Sequence, residues 1–414
     1  MNAHVVLFSS PVTPERLSWI EECLKFFLVQ LSPETLVHAK AGENPVLTFF
    51  LTGDALYSLV DPETLQIWNI ILGFSQVRLI CDRRELDIRG ISVAPLKMRF
   101  VDQVADTNST AADGKGSFWK DLVQETRQTK TPLPATAGWF ETRSPYMHQS
   151  ALYGIRFLSA AIEDRASAEL STYLDGIHCG HHGQNPPDRE NIGRSIRTLE
   201  KSAQAAGLSF HTLGCSQSSS ARGYCTWDDG MGRVISTCTE RAFRIRDLSW
   251  LISRFSLPHP ILSADCAILA RKKVSAPLVD RAEKAGTAPP ITILVTHKPY
   301  GTGDTAGAIA FAVAAAHAGI LTRVVFIEDG IYALTGSQRV PEHSDRPTIQ
   351  ELISLVAGNE NLHFFAFTPS FQKRSIQKDR SQNAVLDIGY PGLGKIFFYP
   401  PSNVQAEHQR IIIF

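Results

Sequence analysis

One order of elements recurs three times along this chain of 414 residues, and that recurrence limits the possible folds more than any single motif does. The clearest round comes last. Ile291 to Thr296 reads as a short buried strand, Pro299-Tyr300-Gly301-Thr302-Gly303 as a turn, and Thr305 to Ala318 as an alanine-rich helix. Arg323 to Ile327 is a second β-branched run ending at Asp329-Gly330; Thr348 to Ala357 has helical periodicity, and Leu362 to Phe367 is a third strand. The first segment follows the same plan. It has a strand at His4 to Phe8, a helix at Pro14 to Val29 and a strand at Val46 to Leu51 ending near Gly53-Asp54. Pro62 to Leu72 is a helix, and the strand Val77 to Ile80 runs into Cys81. In the middle segment a weak strand, Gly138 to Thr142, precedes Pro145-Tyr146 and the helix Gln149 to Glu163. A strand from Glu169 to Leu174 ends at Asp175-Gly176, and the polar helix Arg189 to Ala206 leads to the strand Ser209 to Leu213 and Cys215. Strands alternating with helices imply parallel βαβ units, so the chain is expected to be α/β, with parallel-stranded sheets flanked by helices.

Small polar residues and prolines resist packing and mark boundaries. Thr107 to Ser117, Thr129 to Ala137 and Lys272 to Pro290 have that composition, and cutting there yields domains at 1–130, 131–275 and 276–414. The content, 43% hydrophobic and 20% charged, suits packed globular units. Lys and Arg number 41 and Asp and Glu number 41, so no global field draws the chain to nucleic acid or an anionic membrane. Met1 to Val12 lacks the basic start of a signal peptide. The longest apolar stretch, Thr305 to Leu321, is mostly alanine, carries His317, and falls short of the roughly 20 strongly apolar residues of a spanning helix. A cytoplasmic protein without a membrane partner is expected.

The seven cysteines, an odd count spread over a long chain, read as reduced thiols rather than a disulfide framework. Cys23, in ECLKFFLV, and Cys266, in CAILA, sit in apolar runs and are expected in the core. Cys215 stands apart. It follows an apolar strand and Gly214, opens the polar run Ser216 to Ser220, and is trailed by Arg222. An unperturbed thiol near pKa 8.5 is only about 3% ionised at pH 7, so reactivity needs cations or free backbone N–H groups around the sulfur. A helix start and the Arg222 guanidinium are the expected sources. The competing reading is a buried structural cysteine.

His178-Cys179-Gly180-His181-His182 follows Asp175-Gly176 at the end of a predicted parallel strand, the edge where α/β folds place their sites. Three readings stay open: Cys179 as a second thiol near Cys215, a metal site of His178, Cys179, His181 and His182 with Cys225 added, or a solvated polar loop. The spacing matches no zinc pattern, so no metal is assigned.

The stretches LVTHKPYGTGDTAGAIAFAVAAAHAG and VVFIEDGIYAL resemble the opening of the DsrE/DsrF-like sulfurtransferases, which include the TusC and TusD subunits. The middle segment is similar through SPYMHQSALYGIRFLSAAI, YLDGIHCG and GCSQSSSARGY. The resemblance implies three fused DsrE-like domains: a divergent one at 1–130, a TusD/DsrE-like one at 131–275 and a TusC/DsrF-like one at 276–414. The family's persulfide cysteine ends the third strand, seven residues before an Arg-Gly pair. That pattern assigns catalytic roles to Cys215 with Arg222 and Gly223. Cys81 precedes Arg89-Gly90 by eight, one residue out of register, and the third copy has Phe367 before Arg374-Ser375 and lacks the cysteine. The resemblance further implies a sulfur relay through a cysteine persulfide, in a tRNA-thiolation or sulfur-oxidation type of pathway. Sulfur donor and acceptor proteins are the implied partners, with no cofactor and no direct nucleic-acid partner. It also implies a pseudo-trimer within the chain and a homodimer with six domains. Against it stand a scaffold of degenerate domains and a metal-binding module using the His178–His182 cluster.

Overall fold

A computed structural model describes residues 4–30, 47–99, 104–106, 117–127, 136–224, 226–227, 234–236, 238–240, 242–270, 288–300, 304–336, 347–379, 382–398 and 408–414. The first segment contributes β1 (His4–Phe8), α1 (Pro14–Gln30), β2 (Leu47–Leu51), a 3₁₀ turn (Gly53–Leu59), α2 (Pro62–Ile71), β3 (Val77–Cys81), α3 (Arg83–Arg89), α4 (Ala94–Arg99), β4 (Val104–Asp106) and α5 (Ser117–Arg127). The middle segment opens with β5 (Thr136–Glu141), α6 (Ser150–Glu163), β6 (Ser167–Thr172), a 3₁₀ turn (Leu174–Gly180), α7 (Ile192–Ala205), β7 (Phe210–Cys215) and α8 (Ser216–Ala221). A small hairpin of β8 (Thr226–Trp227) and β9 (Val234–Ile235) precedes β10 (Phe243–Arg246), α9 (Leu248–Phe255), β11 (Ile261–Leu262) and β12 (Cys266–Ala270). The third segment supplies β13 (Ile291–Val295), α10 (Asp304–His317), β14 (Thr322–Phe326), a 3₁₀ turn (Glu328–Leu334), α11 (Ile349–Val356), β15 (Leu362–Phe367), α12 (Thr368–Arg374), β16 (Val385–Ile388), α13 (Tyr390–Phe398) and β17 (His408–Ile413).

Local chemistry starts these helices. Asp61 accepts a hydrogen bond from the Thr64 N–H ahead of Pro62, Asn191 does the same for Arg194, and Thr348 with Glu351 forms a capping box. In α10 the alanines let a helix lie flat against neighbours on several sides, and Ala308, Phe311, Ala312 and Ala315 are all buried.

The mixed α/β architecture with parallel strands agrees with the expectation, whereas the way the segments join was not foreseen. β1, β2, β3 and β4 pair in parallel, as do β13, β14, β15 and β16. These two sets fuse into one ten-stranded sheet, because β17 lies parallel beside β13 and β12 runs antiparallel to both β17 and β1. β12 falls within the stretch 131–275, yet it splices the first and third sheets and leaves the middle sheet as β10-β7-β6-β5-β11. The linker read at Thr129 to Ala137 is also too long: Thr136 and Ala137 already belong to β5. Backbone groups of a buried strand must pair, and periodicity says nothing about which distant edge they pair with.

Apolar packing joins the segments pairwise. One large core cluster combines the first and third segments, a second the middle and third, and another the first and middle. No segment buries its sheet faces alone. Among the described residues no helix is long and apolar enough to cross a membrane.

Candidate functional site

Each segment ends its second strand in a left-handed residue: Gly53 at φ +58°, Leu174 at +49° and Glu328 at +54°. Only Gly adopts that conformation without a steric penalty, so Leu174 and Glu328 carry strain of roughly 1 kcal/mol or more. An aspartate follows each of them, Asp54, Asp175 and Asp329.

The third strands settle the register. Leu51 pairs with Cys81, Thr172 with Gly214, and Phe326 with Ala366. Cys81, Gly214 and Ala366 therefore match one another, and the next residues, Asp82, Cys215 and Phe367, each sit directly before the short helix that follows. The first segment's counterpart of Cys215 is Asp82, not Cys81. Successive residues of a strand face opposite ways, so one step of register puts Cys81 on the other face, inside the core shared by the first and third segments. Asp82 accepts from the Thr52 hydroxyl at 2.9 Å, and burial pushes its carboxyl up.

The arginine of this element has a structural use in all three segments. Arg222 Nε donates to Asp175 Oδ1 at 2.8 Å and its Nη1 to the Ser218 carbonyl at 3.2 Å. Arg89 reaches Asp54 at 2.8 Å, and Arg374 reaches Asp329 at 2.8 Å. The arginine clasps the short helix to the turn after the second strand, and the guanidinium of Arg222 is shared between the Asp175 carboxylate and the Ser218 carbonyl. Gly90 at φ +64° and Gly223 at +71° close their helices in the left-handed conformation, and Ser375 does so at +52°. Gly223 thus stands at the end of its helix.

Cys215 is 0% exposed. It shares a core cluster with Phe140, Tyr173 and Leu248 of its own segment and with Ile309 and Phe311 of α10. Its carbonyl accepts from the Ser219 hydroxyl at 2.9 Å, while the Ser218 hydroxyl accepts from the Leu174 N–H at 2.9 Å. Tyr173 donates to the Gly307 carbonyl at 3.1 Å; burial first and the adjacent Cys215 second push its phenol up.

Cys179 and Cys215 pack into different core clusters. Cys179, also 0% exposed, lies in the core between the first and middle segments, and burial, then Glu141, push its thiol well above the ordinary range. His178 hydrogen-bonds through Nδ1 to the Tyr224 hydroxyl, while the His181 ring lies 5.4 Å from both His182 and Tyr224. Burial is the main cause that lowers His178. Among the described residues no group of three or more His, Cys, Asp or Glu side chains is gathered for a metal ion, and Cys225 lies outside those residues. Cys23 and Cys266 are buried as expected, and burial pushes the Cys266 thiol up to about 12.

Sequence reasoning missed a cyclic set of contacts made by the three left-handed residues. Gly53 of the first segment lies under the Tyr153 hydroxyl of α6. Leu174 of the middle segment presses on Gly307 of α10, where an added Cβ would stand 2.8 Å from its methyl carbons. Glu328 of the third segment accepts from Arg16 Nε at 2.9 Å and Nη2 at 2.8 Å and from Trp19 at 3.2 Å, all on α1. Each turn thus meets the first helix of the next segment in the order first, middle, third, first. Only the glycine at 53 hints at this locally; Arg16 and Glu328 are 312 residues apart. The three sites differ in character: the third opens on a charged cleft lined by Glu15, Arg16, Asp265, Glu328, Lys373 and Arg374, whereas Cys215 lies in an apolar seam.

The DsrE/DsrF-like family model matches residues 290–395. That span contains β13, the left-handed turn, β15 and the Arg374 clasp. No curated protein matches the chain.

Proposed function

Because residues 290–395 form a DsrE/DsrF-like domain, we propose that this chain is a sulfur-relay protein that carries sulfane sulfur on Cys215 and hands it to an acceptor protein. The observation that carries the proposal is positional. Of the three residues that directly precede the clasped helix, Asp82, Cys215 and Phe367, one is a thiol. In the proposed step the Cys215 thiolate attacks the outer sulfur of a donor persulfide. The donor's S–S bond breaks, the donor thiolate leaves, and Cys215 holds the sulfur through a new S–S bond until an acceptor thiolate removes it in the same way. No cofactor is required. Cys215 directly precedes the serine-rich α8, whose Ser219 hydroxyl donates to the Cys215 carbonyl, and the Ser216 and Ser218 side chains are buried.

We further propose that the three segments form a pseudo-trimer of DsrE-like domains, supported by the cyclic contacts and the pairwise cores, and that two chains pair into a six-domain assembly. One feature favours a second reading, a scaffold of degenerate domains: Cys215 is wholly buried. Incubation with a polysulfide followed by mass spectrometry separates the two. A gain of one sulfur on Cys215 that Cys215→Ser abolishes supports the carrier; no gain on any cysteine overturns it. Light scattering tests the pairing, since a mass equal to the 45.7 kDa chain rules out the dimer.

A further inference from the structure

The seam over Cys215 is built differently from the other two junctions. Tyr153 and an Arg156–Glu85 ion pair at 2.8 Å join the first and middle segments, and the buried Arg16–Glu328 pair joins the third and first. Over Cys215 the middle segment meets α10 through Tyr173, Leu174, Phe140 and Phe255 against Gly307 and Phe311.

Two adjacent residues connect that seam to the thiol's own helix. Tyr173 holds the Gly307 carbonyl at 3.1 Å. Leu174 is strained at φ +49°, is held by its N–H to the Ser218 hydroxyl at 2.9 Å, and fills the space that Gly307 leaves by having no side chain. Ser218 belongs to α8, which Cys215 precedes directly, and Arg222 at the end of α8 is clasped to Asp175, the residue after Leu174. Tyr173 and Leu174 thus tie α10 to the cluster in which Cys215 is buried.

We infer that α10 of the third segment is a lid over Cys215, latched at Gly307 by the Tyr173 hydroxyl and the Leu174 side chain, and that parting this latch is what admits a sulfur donor or acceptor. The inference rests on the carrier reading for its purpose, although the latch itself is a statement about access. It also supplies a role for a third segment without a cysteine: it covers the thiol of its neighbour. The hydrogen bond and the apolar contact at Gly307 hold the seam closed, so the balance is adjustable by small changes there.

The test is the rate at which iodoacetamide labels Cys215 in the full chain, followed by peptide mass spectrometry. Tyr173→Phe removes one buried hydrogen bond and should raise the rate roughly fivefold. Gly307→Ala favours the helix itself while driving a methyl group into Leu174, and should also raise the rate. Cys23 and Cys266 serve as internal standards, because both lie in other cores. Faster labelling of Cys215 with Cys23 and Cys266 still protected supports the lid. Unchanged labelling in both variants overturns it, as does labelling of all three cysteines in step, which marks global unfolding instead of local opening. Sulfur loading from polysulfide, measured in parallel, keeps the two ideas apart. Faster alkylation without any loading leaves the lid standing and removes the carrier; loading without any change in alkylation does the reverse.

Discussion

Arg222 and Asp175 are joined through Nε and Oδ1 at 2.8 Å, across the gap between α8 and the turn that follows β6. Arg89 with Asp54 and Arg374 with Asp329 repeat the pairing in segments whose corresponding position holds Asp82 or Phe367. A pair present where no thiol exists has a structural use there, and in the middle segment it ties α8 to the residue after Leu174.

Arg222→Ala and Asp175→Ala should therefore act alike. Asp175 is about half exposed, so solvent screening limits each loss to about 1 kcal/mol or less. Both variants should shift Cys215 alkylation in the same direction, and the double variant should add little. If Arg222 stabilised the thiolate directly, Arg222→Ala would slow alkylation and Asp175→Ala would speed it. Alkylation rates at neutral pH for the three variants distinguish these patterns.

Ser375 occupies the left-handed position that Gly90 and Gly223 fill in the other segments. Ser375→Gly should relieve strain and raise stability by about 0.5–1 kcal/mol. Gly223→Ala should cost about 1 kcal/mol from backbone conformation alone, because an added Cβ there meets nothing within 4 Å. Urea titration of each variant measures both, and equal midpoints with wild type would contradict the argument.

His4, enclosed by Phe27 and Phe398, is held down to about 4 by burial. Its imidazole is neutral in the fold and takes up a proton near 6.5 when the chain unfolds. Between those values the unfolded chain binds more protons, so stability is full above pH 6.5 and falls as the pH drops toward about 4. The loss is on the order of 3 kcal/mol by linkage at about 1.4 kcal/mol per unit. His259 and His408, both lowered to about 3 by burial first and by Arg410 next, add to it in the same direction. His4→Phe should flatten the slope of unfolding free energy against pH between 6.5 and 4.5, read from urea melts.

The Arg16–Glu328 pair is bidentate, and both side chains are under one-tenth exposed. Removing one charge strands the other in the core, so Glu328→Ala should cost about 3–5 kcal/mol. Trp19, which also donates to Glu328, makes the loss visible as a change in tryptophan emission before global unfolding. A loss under 1 kcal/mol would mean that water reaches the pair.

Periodicity and turn chemistry made much of this protein legible without coordinates. The strand–helix order of each segment, the position of Cys215 before a short helix, and the burial of Cys23 and Cys266 all follow from local spacing, because apolar repeats of two and of about 3.6 residues report which face an element hides. The one-residue excess between Cys81 and Arg89 was also visible, and it marked a true difference: the register of β3 against β2 turns Cys81 to the opposite face. Other features depended on residues well separated along the chain. β12 chose β1 and β17 as neighbours, Arg222 paired with Asp175, and Leu174 met Gly307 beside the cluster that buries the thiol. Local sequence carries the propensity of an element and the pattern of its faces. Which edge a strand joins, which charge a guanidinium satisfies and what covers a reactive atom are settled only when distant segments compete for the same buried space, and that competition exists only in the folded chain.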